Sequence, residues 1–346
     1  MRRLASVVIL LGVAGARAEG QSFDASVARL LPPDASFLLG IEWRRALAQP
    51  TGSLLEKQIA GAGVTLPGLM SFAQMLREDV DSVTIAMSAA AVPKLGGESP
   101  SLIVVKGRFD PARLRGFMSG RREMYRQVAV VAPAKSKPPS TRIALLDATT
   151  MLSGDRREVL AAIDRSAGVG PRRPAGALAE RAAALASRYD IWVALNAPPG
   201  GFPGGAGPSQ VLADLNGLEM GLSFSSGLAL EANLRARGAE SIPALAATIR
   251  GLLAMAAMSQ PATPESAEWL RKIEVSEQAQ GVRVSLSLSE AEVTRAVAGM
   301  QAPQQRRAAA ARAAPPAPRE PAARRSIRIV GQESGPVEVP APRNPN

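Results

Sequence analysis

Carboxylates are the side chains here best suited to general acid–base work, because the 346 residues include no histidine and no cysteine. The tightest grouping is Glu78-Asp79-Val80-Asp81. It would suit a carboxylate-dependent hydrolase or a divalent cation, and it is equally explained as a charged helix exit running into a solvated strand start. Asp147, in Leu-Leu-Asp-Ala-Thr-Thr, fits the turn of a hairpin. Asp155 and Glu158 fit the first turn of a helix, where negative charge opposes the dipole. A hydrolase would therefore need carboxylates far apart in sequence to meet in space. A Ser–Lys dyad would need the same, from only six lysines. No EF-hand spacing, phosphate-binding G-x-x-x-x-G-K-[ST], G-x-S-x-G elbow or S-x-x-K is present. The Gly-rich stretch 200–207 lacks the lysine and the following helix of a phosphate cradle, and reads as plain loop. Composition excludes His-based triads, thiol nucleophiles, Cys/His zinc sites, iron–sulfur clusters and disulfides. No catalytic residue, metal ligand or cofactor is assigned.

Binding chemistry is the other source of function. Aromatics are 3% of the chain, too few for extensive stacking on nucleobases or sugars. Trp192 is out of phase with Ile191 and Val193 and so points to the opposite side of its strand, as a buried residue or as an exposed anchor. Leu252-Leu-Ala-Met-Ala-Ala-Met258 is apolar nearly all round. It is expected to be a helix buried between layers, or alternatively the lining of a pocket for a lipid-like ligand.

The formal charge is +11, with arginine greatly outnumbering lysine. Residues 301–346 hold eight arginines against Glu320, Glu333 and Glu338, so the basicity belongs mainly to this tail. Arg306, Arg307, Arg312, Arg319, Arg324, Arg325 and Arg328 are the candidate binding residues. They would act as an electrostatic tether to an anionic envelope surface or an envelope protein. No aromatic interleaves them, so nucleic acid is not the expected partner.

Several elements must position these groups. Met-Arg-Arg, an apolar run from Leu4 to Ala16, and Ala16-Arg17-Ala18 form a signal-peptide pattern over residues 1–18, with cleavage expected after Ala18. This places the mature chain in the periplasm or outside the cell, and no later stretch is expected to cross a membrane. Residues 19–33 read as a mobile leader. From there a strand–turn–strand–helix unit recurs, beginning near Val80, Thr141, Leu218 and Lys272. Ser289 and Glu292 form a capping box in the last copy. The fold expected is α+β: antiparallel sheets covered on one face by helices, in two related halves near 34–170 and 171–300. Residues 131–140 and 198–208 read as loops. The tail at 301–346 is expected to be disordered, with a β-forming patch at 326–340.

Leu31-Pro-Pro-Asp-Ala-Ser-Phe-Leu-Leu-Gly-Ile41, Lys106-Gly-Arg-Phe-Asp110, Leu152-Ser-Gly-Asp155 and Tyr189-Asp-Ile-Trp-Val193 also resemble stretches of a group of exported bacterial proteins of unknown function. The resemblance spans roughly residues 31–300. It implies export and an α+β repeat body, and it brings no activity with it. The expectation is a non-catalytic exported binding protein of the cell envelope, with a lipid carrier and a carboxylate hydrolase as rivals.

Overall fold

The computed structural model describes residues 23–54, 79–88, 101–114, 119–133, 141–169, 176–197, 215–259, 264–295, 326–329 and 337–340. The expected signal segment and the 198–208 loop lie outside them. The chain forms two units, residues 1–297 and 298–346.

The first unit is mixed α+β, built on one antiparallel sheet of twelve strands. In chain order these are β1 (Ala35–Ile41), β2 (Val80–Ser88), β3 (Ser101–Gly107), β4 (Gly120–Tyr125), β5 (Val128–Pro133), β6 (Thr141–Asp147), β7 (Thr150–Asp155), β8 (Ile191–Asn196), β9 (Leu215–Ser223), β10 (Leu228–Ala236), β11 (Glu274–Gln278) and β12 (Gly281–Leu288). Their spatial order is β11-β12-β10-β9-β8-β1-β2-β3-β7-β6-β5-β4. Outward from β1 the sheet runs β1-β2-β3-β7-β6, and outward from β8 it runs β8-β9-β10-β12-β11. The order of these five strands is the same in both directions, and the β4–β5 hairpin is an addition to the first arm. β1 and β8 pair with each other at the centre, Phe37 opposite Leu195 and Ile41 opposite Ile191. Each strand satisfies the backbone groups the other would leave open at an edge, so a single sheet forms where separate sheets were expected.

The helices among the described residues include α1 (Ala25–Leu30), α2 (Trp43–Leu47), α3 (Pro111–Leu114), α4 (Arg156–Ser166), α5 (Ala177–Arg188), α6 (Ile242–Ser259) and α7 (Pro264–Arg271). Residues 290–295 are also helical. All four expected hairpins are present, and each leads into a helix. Strand periodicity sorts the core into two faces. On one, Leu38, Leu102, Val104 and Leu152 pack against Val27 of α1, Ile163 of α4 and Leu185 of α5. On the other, Val83, Val105 and Met151 pack with Phe109 and with Leu114 of α3.

Four expectations change. Helices pack on both faces of the sheet, α1, α4 and α5 on one and α3 on the other, and not on one face, because alternate residues of the central strands are apolar on both sides. Residues 23–31 belong to the core and not to a mobile leader, because Phe23, Val27, Leu30 and Leu31 are all buried. Their spacing suits one helical face, and Asp24 caps α1 by accepting from the Ser26 and Val27 amides at 2.8 and 3.0 Å. The loop expected at 131–140 begins later, since β5 runs to Pro133. Strand β4, Gly-Arg-Arg-Glu-Met-Tyr, has no apolar alternation to betray it and forms the exposed edge of the sheet.

The β4–β5 turn places Arg126 and Gln127 at φ 45° and 65°, left-handed conformations that Gly and Asn tolerate best. Gln127→Gly should therefore stabilise the protein by about 1 kcal/mol, read as a higher urea midpoint. An unchanged or lower midpoint would show that the turn carries no such strain.

In the second unit, β13 (Ser326–Ile329) and β14 (Val337–Pro340) pair antiparallel, Ile327 opposite Val339. The two β-forming runs of the tail thus find each other.

Candidate functional site

The carboxylates singled out from sequence are placed as structural groups. Asp147 accepts from the Thr149 amide at 2.7 Å and closes the β6–β7 turn. Asp155 accepts from the Arg157 amide at 2.9 Å and caps α4. Asp81 is ion-paired with Arg44, and Glu78 lies outside the described residues. The capping box forms, Ser289 N–H donating to Glu292 Oε2 at 2.9 Å. Lys272 and Ser289 together hold the Glu292 carboxyl well below its ordinary value, at about 2. Among the described residues a Ser–Lys contact is present: Lys106 Nζ lies 3.3 Å from Ser26 Oγ and donates to Thr150 Oγ1 at 3.0 Å. Ser26 in turn donates to Asp24 Oδ1 at 2.6 Å. That is the arrangement of an ammonium distributing its protons, and it ties α1 to the β6–β7 turn.

Two carboxylates distant in sequence do meet, and neither was foreseen. Glu42 follows β1 and Asp190 precedes β8; both are buried. The Glu42 amide donates to the Asp190 carbonyl at 2.7 Å. Asp190 accepts from Arg45 Nε and from the Phe224 amide, each at 2.7 Å. Glu42 Oε1 accepts from Trp192 Nε1 at 3.2 Å. Burial raises the Glu42 carboxyl to about 7, against the opposing pull of the Trp192 hydrogen bond and the Arg45 charge. Trp192 is fully buried and meets Phe23 edge-on, ring centres 5.4 Å apart, so it is a core residue and not an exposed anchor. The cluster clamps α1, α2 and the β1–β8 seam. Glu42 and Asp190 line neither of the two surface grooves described below.

Helix α6 departs most from expectation. Its first turns are conventional: Ile242, Leu245 and Ala246 are buried against Leu215 and Val282. Past Ile249, among the described residues of the helix, only Leu253 is half-buried. Leu252, Met255 and Met258 are 40%, 52% and 86% exposed, and Ala254, Ala256 and Ala257 are exposed as well. The stretch expected to lie between layers therefore stands in solvent. Contrary to the expectation for the chain beyond its N-terminus, residues 239–258 are long and apolar enough to cross a membrane, by length and composition.

The inner side of the same helix borders an open groove of about 580 Å³, shared with Leu270 and Arg271 of α7 and with Val275 of β11. A second groove of similar volume lies beside Tyr189, Glu231 and Ser285, and Arg271 borders both. Of the tail arginines, Arg328 sits on β13 opposite Glu338 in register. Arg306, Arg307, Arg312, Arg319, Arg324 and Arg325 lie outside the described residues.

Fold and site together define a mixed α+β protein whose described residues include a solvent-exposed apolar helix end beside the sheet. No protein-family model and no curated protein matches the chain. Among solved structures, crystal form III of TP0453 is similar at 10% identity and a TM-score of 0.47, over 78% of this chain and 97% of that one. Crystal form I of TP0453 is similar at 11% identity and a TM-score of 0.45, over 79% and 96%.

Proposed function

We propose that this chain is an exported, non-catalytic binding protein of the cell envelope, and that it engages the surface of an anionic bilayer through the end of α6. The observation that carries this is the exposure of Leu252, Met255 and Met258, the large apolar side chains on the outer side of the helix. At helical spacing these three side chains lie away from Leu253 and from the packed first turns, on the one face that an interfacial helix buries in a bilayer.

The energetics call for a second contact. Burying a Leu or Met side chain fully contributes roughly 1.5–3 kcal/mol, so these few residues give marginal, reversible attachment on their own. The tail arginines supply the rest, at about 1 kcal/mol each near an anionic surface. The signal-peptide pattern at 1–18 supports export. The repeated strand order about the β1–β8 seam supports duplication of one ancestral unit.

Co-sedimentation of the chain with phosphatidylglycerol vesicles tests the proposal, with phosphatidylcholine vesicles as comparison. Binding to the anionic vesicles should weaken with salt and fall at least about tenfold in Leu252→Asp/Met258→Asp. Replacing the seven candidate arginines among the eight of the tail by glutamine should remove most of the salt dependence. Equal sedimentation of the Asp variant and the unmodified chain would overturn the role of α6. Self-association without lipid that the Asp variant abolishes would assign the surface to a second copy instead.

A further inference from the structure

The groove on the inner side of α6 has a composition of its own. Leu253, Ala254 and Ala257 form one wall, Leu270 and Ile273 another, and Val275 of the edge strand the floor. The remaining lining residues are two arginines, Arg250 and Arg271, with no carboxylate among them. At about 580 Å³ it falls within the range of small-molecule sites. Its alanines leave room between helices α6 and α7 that larger side chains would fill.

The two guanidinium groups are differently held. Arg250 donates Nη2 to the Val275 carbonyl at 3.2 Å, and its Nη1 lies 3.5 Å from Glu277 Oε1. These contacts fix the group beside the floor and leave further donors of the guanidinium fork available. Arg271 is exposed and borders both grooves. The second groove carries Glu231 and Glu274, so an anion is better received on the first groove's side of Arg271.

From this composition we infer that the α6–α7–β11 groove binds one single-chain amphiphile, its acyl chain along the apolar walls and its anionic head on Arg250 and Arg271. The site shares α6 with the bilayer surface proposed above but uses the opposite side of the helix. A carboxylate and a phosphate monoester offer the arginines the same chemistry, and a fatty acid and a lysophospholipid are their two natural sources.

Titration calorimetry on the full chain tests the inference, with hexadecanoate, lysophosphatidic acid and hexadecanol as probes. Both anionic probes should bind, or only the one whose head fits, and the alcohol should bind at least roughly tenfold more weakly. Arg271→Glu should weaken anion binding by a similar factor. Ala257→Trp should abolish it by filling the groove, with an unchanged thermal transition confirming that the variant folds. Leu252→Asp/Met258→Asp should still bind hexadecanoate while losing vesicles, which separates the failure of this inference from failure of the bilayer proposal. Equal binding of alcohol and acid, or undiminished binding by a folded Ala257→Trp variant, would overturn the site.

Discussion

Gly40→Ala is expected to destabilise the protein by about 3 kcal/mol, at the upper end of ordinary overpacking. Gly40 stands opposite Trp192 in the β1–β8 register. A Cβ there would lie 2.1 Å from two atoms of the indole ring. The ring has no open direction to move in, being fully buried, edge-on to Phe23 and hydrogen-bonded to Glu42. The cost should depend on the indole. In a Trp192→Leu background, itself destabilised by a cavity and by the loss of Glu42's hydrogen bond to the indole, adding Gly40→Ala should cost much less than it does alone. Urea unfolding of the four proteins gives the coupling directly. A Gly40→Ala penalty that is the same in both backgrounds would show that the glycine serves the strand and not the ring.

The second large effect is a pH dependence centred on Glu42. Its carboxyl titrates near 4.5 in the unfolded chain and near 7 in the fold, where burial disfavours the charge. Between those values the folded state holds a proton that the unfolded state has released. Stability therefore falls as pH rises from about 4.5 to about 7, by at most roughly 3 kcal/mol, and this contribution stays flat above. Glu42→Gln keeps an oxygen acceptor for Trp192 and removes the titration. The variant should be more stable than the unmodified chain at pH 8, and the difference should shrink steadily towards pH 5. Unfolding midpoints across that range check the sign. Parallel curves for the two proteins would mean that Glu42 does not titrate in this window.

The local elements were legible because each rests on neighbours in the chain. The capping box at Ser289 and Glu292, the turn at Asp147, the cap at Asp155 and the four hairpins are short-range events. Helix α1 was missed although its signals were present: Asp24 as cap and Phe23, Val27 and Leu30 at helical spacing. Two prolines directly after it suggested a leader instead. Strand β4 was missed for a different reason. An edge strand buries neither face fully, so its sequence carries no alternation.

The Glu42–Asp190 cluster had no sequence signal, since its two carboxylates lie 148 positions apart and meet only because β1 and β8 pair. The exposure of α6 was likewise undecidable from composition. An all-apolar helix satisfies the same pattern buried or bare, and only the extent of the sheet beneath it settles which. What the sequence determined by itself was local structure, a mixed α+β body, a basic tail and the kinds of chemistry its side chains exclude. The tertiary structure decided that the repeating units share one sheet, that Trp192 and Glu42 are locked in its seam, and that the apolar end of α6 is left facing outward. Those outcomes depend on which distant surfaces the chain brings together, and no span of neighbouring residues encodes that.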